Sequence, residues 1–148
     1  MDVRTAPGSR RLPHFVKAAL EAELPARRIA YRHLPELGGL RKPTGSDLNA
    51  GWRNASFRAY ADYMQTPAFE LGLEQLLDLA AARRTAVMCA EAVPWRCHRS
   101  LISDALVPRG HSVWHITGGG RPSPHSLTPF ARVEGTRITY PPADKLPL

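Results

Sequence analysis

Apolar and polar positions change period along the chain, and the changes mark its elements. Phe15, Ala18, Ala19 and Ala22 recur at helical spacing, predicting a helix from His14 to Leu24 that Pro25 ends. Asp2-Val3-Arg4 reads as the end of a strand. Ile29 to Leu34 alternates apolar and polar as a half-buried strand does. Phe57, Tyr60 and Tyr63 predict a helix over Ser56–Tyr63. Phe69, Leu73, Leu76, Leu77 and Ala80 predict another, opened by Thr66 as N-cap with Pro67 behind it and running to about Ala82. The short apolar run Thr85 to Ala90 reads as a buried parallel strand. Leu101, Ile102 and Ala105 place a helix over His98–Leu106, with Gly110 as its stop signal. Ser112 to Ile116 reads as a further strand, and Arg132 to Tyr140 as a hairpin across Glu134-Gly135.

Strands alternating with helices predict right-handed crossovers. The expected fold is therefore α/β and three-layered: a mostly parallel sheet of about four core strands with flanking helices, Rossmann-like, in a single domain over residues 1–148. Three segments then fall at strand carboxyl ends, where such sheets gather ligands: Arg4 to Arg11, His33 to Arg41, and Cys89 to Arg99.

Charge sharpens this picture. The chain has 20 basic and 13 acidic side chains in 148 residues, and only Lys17, Lys42 and Lys145 are lysines. Residues 1–60 carry 11 basic and 5 acidic groups, whereas residues 61–110 carry 5 and 6. A basic N-terminal face attracts phosphates or nucleic acid; the same excess accompanies abundant Ala, Gly and Pro, as coding bias produces. No apolar run reaches the length of a membrane span, and Met1-Asp2-Val3-Arg4 lacks the apolar core of a secretory signal. Cys89 and Cys97 make no disulfide framework, so the expected location is the reducing cytoplasm.

The densest chemistry lies in Cys89-Ala90-Glu91 and Cys97-His98-Arg99-Ser100. Cys97 stands at a helix entry beside Arg99, where a thiol is activated. The expected catalytic set is Glu91 as acid or base, Cys97 as activated thiol, His98 as second proton carrier and Arg99 as anion clamp. Arg4, Arg10, His33, Gly38, Gly39, Arg41 and Cys89 complete the expected ligand site, the double glycine allowing close backbone approach. The plain alternative has Cys89 buried in a strand and Arg99 paired with Glu91. A phosphatase-type loop fails on register, since five residues after Cys89 lead to Trp95 rather than Arg96. A zinc deaminase pattern fails because no Cys-x-x-Cys follows. Cys89, Cys97 and His98, with His33 or His115, remain a conceivable zinc or iron set. Gly118-Gly119-Gly120-Arg121 lacks phosphate-loop spacing and reads as a flexible loop.

Taken in order, the segments resemble the bacterial "domain of unknown function 488" family. The residues carrying the resemblance are Asp2-Val3-Arg4 with Pro7 and Ser9-Arg10-Arg11; Tyr31-Arg32-His33-Leu34-Pro35-Glu36-Leu37-Gly38-Gly39; Tyr60-Ala61-Asp62-Tyr63-Met64; Met88-Cys89-Ala90-Glu91; Cys97-His98-Arg99-Ser100-Leu101-Ile102; and Pro124-His125-Ser126-Leu127-Thr128-Pro129-Phe130-Ala131-Arg132-Val133. The resemblance spans roughly residues 2–141. It implies one α/β domain with the Cys-Ala-Glu and Cys-His-Arg elements in its pattern, and it implies no activity. It further implies a strand and helix ahead of Asp2-Val3-Arg4, opening with a Thr-Ile-Gly-His-Ser-like stretch, so this chain reads as shortened or begun at a miscalled start. A sheet lacking that unit would expose apolar surface on one side, which a homo-oligomer would cover. The functional expectation is an intracellular enzyme-like domain binding an anionic, phosphate-bearing ligand, either a small molecule or nucleic acid, with no cofactor named. The alternatives are a noncatalytic nucleic-acid-binding module and the metal-dependent domain.

Overall fold

A computed structural model describes residues 1–145. Four α-helices carry most of the regular structure: α1 Lys17–Ala26, α2 Ala55–Tyr63, α3 Pro67–Ala82 and α4 Arg99–Leu106. Local chemistry sets their starts. Asn54 caps α2 by accepting from the Ser56 and Phe57 amides at 2.9 and 3.1 Å. Thr66 caps α3 by accepting from the Phe69 amide, with Pro67 at the first helical position, as expected. α1 departs from its expected phase. It runs through Pro25 to Ala26 and buries Leu20, while Phe15 and Ala18 face solvent.

The three-layer, mostly parallel Rossmann-like sheet does not form. Among the described residues there are two small antiparallel pairs. β1 Trp114–His115 pairs with β2 Ser123–Pro124, and β3 Arg132–Glu134 pairs with β4 Arg137–Thr139 across the expected Glu134-Gly135 turn. Parallel pairing is confined to isolated bridges from Asp2 to His33 on one side and to Met88 on the other. The segments Ile29–Leu34 and Thr85–Ala90, read as strands, otherwise run as irregular backbone.

The physical reason lies in who takes the backbone groups beyond Asp2. The Val3 carbonyl accepts from His98 Nε2 at 3.0 Å and the Arg4 carbonyl accepts from His33 Nε2 at 2.7 Å. The Arg4 amide donates to the Asp2 carboxylate at 3.1 Å. Side chains thereby occupy groups that would extend a ladder, and Pro35 starts a turn directly after Leu34. The parallel pattern stops after one residue.

The core gathers between α2, α3 and α4. Val3, Leu37, Tyr60, Phe69, Leu73, Leu101, Ile102, Ile138 and Tyr140 are all buried in it. The long segment Pro35–Asn54 is pinned rather than free. Asn49, fully buried, donates to Asp62 at 2.7 Å and accepts from the Tyr140 amide at 2.9 Å. Burial of Val3, and of Leu101 and Ile102, anchors the N-terminal segment and α4 in this core. Among the described residues, no helix is long and apolar enough to cross a membrane.

Candidate functional site

An open cleft of about 610 Å³ lies between the N-terminal loop, the Gly39-Leu40 segment, the start of α2 and the segment Met88–His98. Cys97 is the chemical centre of its floor. The turn Pro94–Arg96 delivers Cys97 to the entrance of α4, where its sulfur meets the amide of Arg99. Four groups surround that sulfur: Cys89 Sγ at 2.7 Å, Arg99 N and Nε each at 3.4 Å, and His98 Nδ1 at 3.5 Å. Two of the four come from a guanidinium-bearing residue at a helix start, so negative charge belongs on Cys97 and the shared proton on Cys89.

The titration behaviour follows from this asymmetry. The hydrogen bond from Cys89, with further help from His98 and the Arg99 amide, outweighs burial and holds the Cys97 thiol well below the ordinary thiol range. The same hydrogen bond, now joined by burial, pushes the Cys89 thiol up. His98 has its tautomer fixed from behind. Nε2 faces the Val3 carbonyl, which only accepts, so Nε2 carries a proton, and Nδ1, turned to Cys97, is the nitrogen that can take the thiol's proton and hold it toward the thiolate.

Gly39 makes this geometry possible. A Cβ there would sit 2.5 Å from His98 Nδ1 and 2.9 Å from the ring carbons beside it. Gly38 has a like role against Thr5, whose hydroxyl accepts from the Leu40 amide at 3.2 Å. The double glycine thus gives room to side chains of this chain at both positions.

The sequence-derived site residues divide into two groups. Arg4, Gly39, Cys89, Glu91, Cys97 and His98 line the cleft, and Arg99 reaches in to the Cys97 sulfur. Arg10, His33, Gly38 and Arg41 lie outside its lining. His33 holds the Arg4 carbonyl. Arg41 turns to the carbonyls of Pro35, Glu36 and Gly38 and stacks its guanidinium 3.5 Å from the centre of the Tyr63 ring. Arg4 is paired with the buried Asp2 carboxylate at 2.6 Å. Burial would raise the Asp2 pKa, but hydrogen bonds from Arg4 and Tyr31 hold it below the usual carboxylate value. Arg99 donates to the Glu91 backbone carbonyl, not to its carboxylate. The Glu91 carboxylate accepts from the Ala92 amide at 3.0 Å and remains exposed at the cleft. Arg96, which the sequence reading left out of the site, lines the cleft with its side chain exposed.

Among the described residues, no group of three or more His, Cys, Asp or Glu is placed to hold a metal ion.

A second polar cluster, missed in the sequence, sits at the other end of α4. Asp104 is fully buried and accepts from His125 Nε2 at 2.8 Å, from the Tyr140 hydroxyl at 2.8 Å and from the Thr128 amide at 3.0 Å. His125 Nδ1 in turn meets His115 Nε2 at 2.8 Å. The available signal was Asp104 itself, three positions after Leu101 on an apolar helix face.

The family model described as "Domain of unknown function DUF488" matches residues 1–106. That stretch contains the whole cysteine cleft and ends with α4. No curated protein and no solved structure matches the chain.

Proposed function

Because the chain belongs to the DUF488 family, whose name specifies no reaction, we propose its function from the cleft: an enzyme-like domain that uses the Cys97 thiolate as nucleophile on a small anionic substrate. The observation that carries this reading is the convergence of Cys89, His98 and Arg99 on one sulfur. A thiol is a weak nucleophile until it loses its proton, and this arrangement removes it. His98 Nδ1 is the acceptor, the Arg99 guanidinium and amide balance the charge, and Cys89 donates the last hydrogen bond.

The roles of the remaining groups follow from what they already hold. Arg4 and Arg41 are committed to Asp2 and to backbone carbonyls. Arg96 is the cleft arginine whose guanidinium has no hydrogen-bond or ion-pair partner among the described residues, and it is the group that receives the substrate's phosphate or carboxylate. Glu91, exposed at the rim, is the acid-base group that exchanges protons between the cleft and solvent, while His98 returns the thiol's proton to the leaving group. The reading places the protein in the cytoplasm, where both thiols stay reduced.

The test is alkylation of the reduced protein by iodoacetamide across pH, with peptide mass mapping. Cys97 should react at pH values where an ordinary thiol is silent, while Cys89 lags. Inorganic phosphate should slow the reaction in the wild type and not in Arg96→Ala. A Cys97 rate that tracks an ordinary thiol titration overturns the nucleophile assignment, and phosphate protection unchanged in Arg96→Ala overturns the anion assignment.

A further inference from the structure

The cleft has a feature that nucleophilic catalysis does not require: a second thiol in contact with the first. We propose that Cys97 and Cys89 form an attacking and resolving pair that reduces a small hydroperoxide. This rests on the thiolate reading above and narrows the electrophile to an O–O bond.

Three observations lead to it. The sulfurs are 2.7 Å apart although eight positions separate the residues, so the second step needs no rearrangement of the backbone. Cys97 is only 4 % exposed and is reached through the cleft, which selects a compact electrophile over the disulfide of another protein. Arg99 aims Nε and its backbone N–H at the sulfur, each at 3.4 Å, where they offset the charge that makes it a nucleophile. Cys89 keeps its proton while Cys97 is charged, which is the division of labour the two steps need.

The chemistry balances as follows. Cys97 thiolate attacks the terminal oxygen of ROOH; an S–O bond forms and the O–O bond breaks. The departing alkoxide takes the proton that His98 Nδ1 removed from Cys97 and leaves as ROH. The sulfur has lost two electrons, becoming a sulfenic acid, and the peroxide has gained them. Cys89 then attacks the Cys97 sulfur. The S–S bond forms, the S–O bond breaks, and hydroxide leaves as water with the Cys89 proton. A dithiol from outside the chain reduces the disulfide by exchange and returns both thiols.

The experiment mixes the reduced full-length protein with one equivalent of hydrogen peroxide. It reads peroxide loss, intact mass and peptide map, with iodoacetamide alkylation run in parallel. Peroxide should be consumed about a hundredfold faster than by free cysteine at the same pH, the margin expected from charge stabilisation at the sulfur. The product should be a Cys89–Cys97 disulfide, lighter by two hydrogens. Cys89→Ser should still consume its one equivalent of peroxide but stop at a Cys97 sulfenic acid that dimedone traps, with no disulfide in the map. Cys97→Ser should consume none. A peroxide rate equal to that of free cysteine beside fast alkylation overturns the proposal and leaves the thiolate reading standing. Slow alkylation and slow peroxide loss together overturn both. Fast peroxide loss that ends in over-oxidised Cys97, with no disulfide in the wild-type map, removes Cys89 from the mechanism.

Discussion

The two ends of α4 hold two polar clusters built from similar parts, and they are put to opposite uses. At the N-terminal end, His98 turns Nδ1 to the Cys97 sulfur beside an open cleft. At the C-terminal end, His125 is also fixed by a neighbour, but both its nitrogens are occupied and its side chain is only 6 % exposed. The Asp104 carboxylate accepts three hydrogen bonds, one from each of Tyr140, His125 and Thr128. Burial, reinforced by the charge of Asp104 and by their hydrogen bond, keeps the Tyr140 hydroxyl protonated far above its ordinary range. A polar cluster whose buried members are paired with one another fixes the positions of segments. One that turns a thiol of lowered pKa toward a cleft is, on the proposed reading, the reactive one. The comparison thus separates a fastening from a site without appeal to residue type, since each contains a histidine and an anion.

The largest expected effect comes from breaking the fastening. Asp104→Ala strands three donors inside the protein and should cost about 3–5 kcal/mol in urea denaturation, since each orphaned buried donor costs about 1–3 kcal/mol. Tyr140→Phe removes one of the three and should cost about 1–2 kcal/mol. Cys97→Ser should cost less than Asp104→Ala, by an amount that shrinks as pH falls, while abolishing alkylation at that position. Equal losses from Asp104→Ala and Cys97→Ser would erase the distinction between the two clusters. Gly39→Ala tests the cleft from its own side. The added Cβ must push the His98 ring or its own backbone aside, at about 1–3 kcal/mol. It should also move Cys97 alkylation toward higher pH, which Tyr140→Phe should not do.

What the sequence disclosed was local in origin. The Thr66-Pro67 start of α3 and the turn at Glu134-Gly135 depend on neighbours a few residues away, and both stand where the pattern put them. Cys97-His98-Arg99 was legible for the same reason: adjacency at a helix start brings all three to one point. The parallel sheet was not legible, because strand-like runs at Ile29–Leu34 and Thr85–Ala90 say nothing about what captures their partner's backbone. The captors are His33 and His98, acting on carbonyls at Arg4 and Val3. Arginine roles failed by the same route. Arg4 and Arg41 are cations in any reading of the sequence, and only their partners show that their charge is spent within the protein. Asp104 shows the reverse: one acidic residue on an apolar helix face signalled burial, but His125 and Tyr140 stand 21 and 36 positions away.

The smallest effect is a pH dependence, and it distinguishes the clusters by window. Burial, with help from the charges of His125 and Arg99 and against that of Asp104, lowers the His115 pKa from its ordinary value. The native state therefore binds fewer protons than the unfolded chain once pH falls below the unfolded imidazole value of about 6.5. Stability should decline on acidification from that point. His115→Gln keeps an N–H for His125 while removing the titration, so it should flatten the slope there. Cys97 also titrates below its unfolded value, but the unfolded thiol value is about 8.5. Its contribution should be complete above that pH and shrink as pH falls toward the depressed folded value of about 4, so Cys97→Ser should flatten the slope from about 8.5 downward, alone above about 6.5 and together with His115 below it. Urea midpoints of the wild type and both variants from acid to mild alkali read the two windows side by side. A His115→Gln curve parallel to the wild type below about 6.5 would mean that the ring is not held neutral by its surroundings. The chain Asp104–His125–His115 would then be open to protons at its outer end, and the contrast between a closed fastening and an open site would hold for Asp104 and Tyr140 alone.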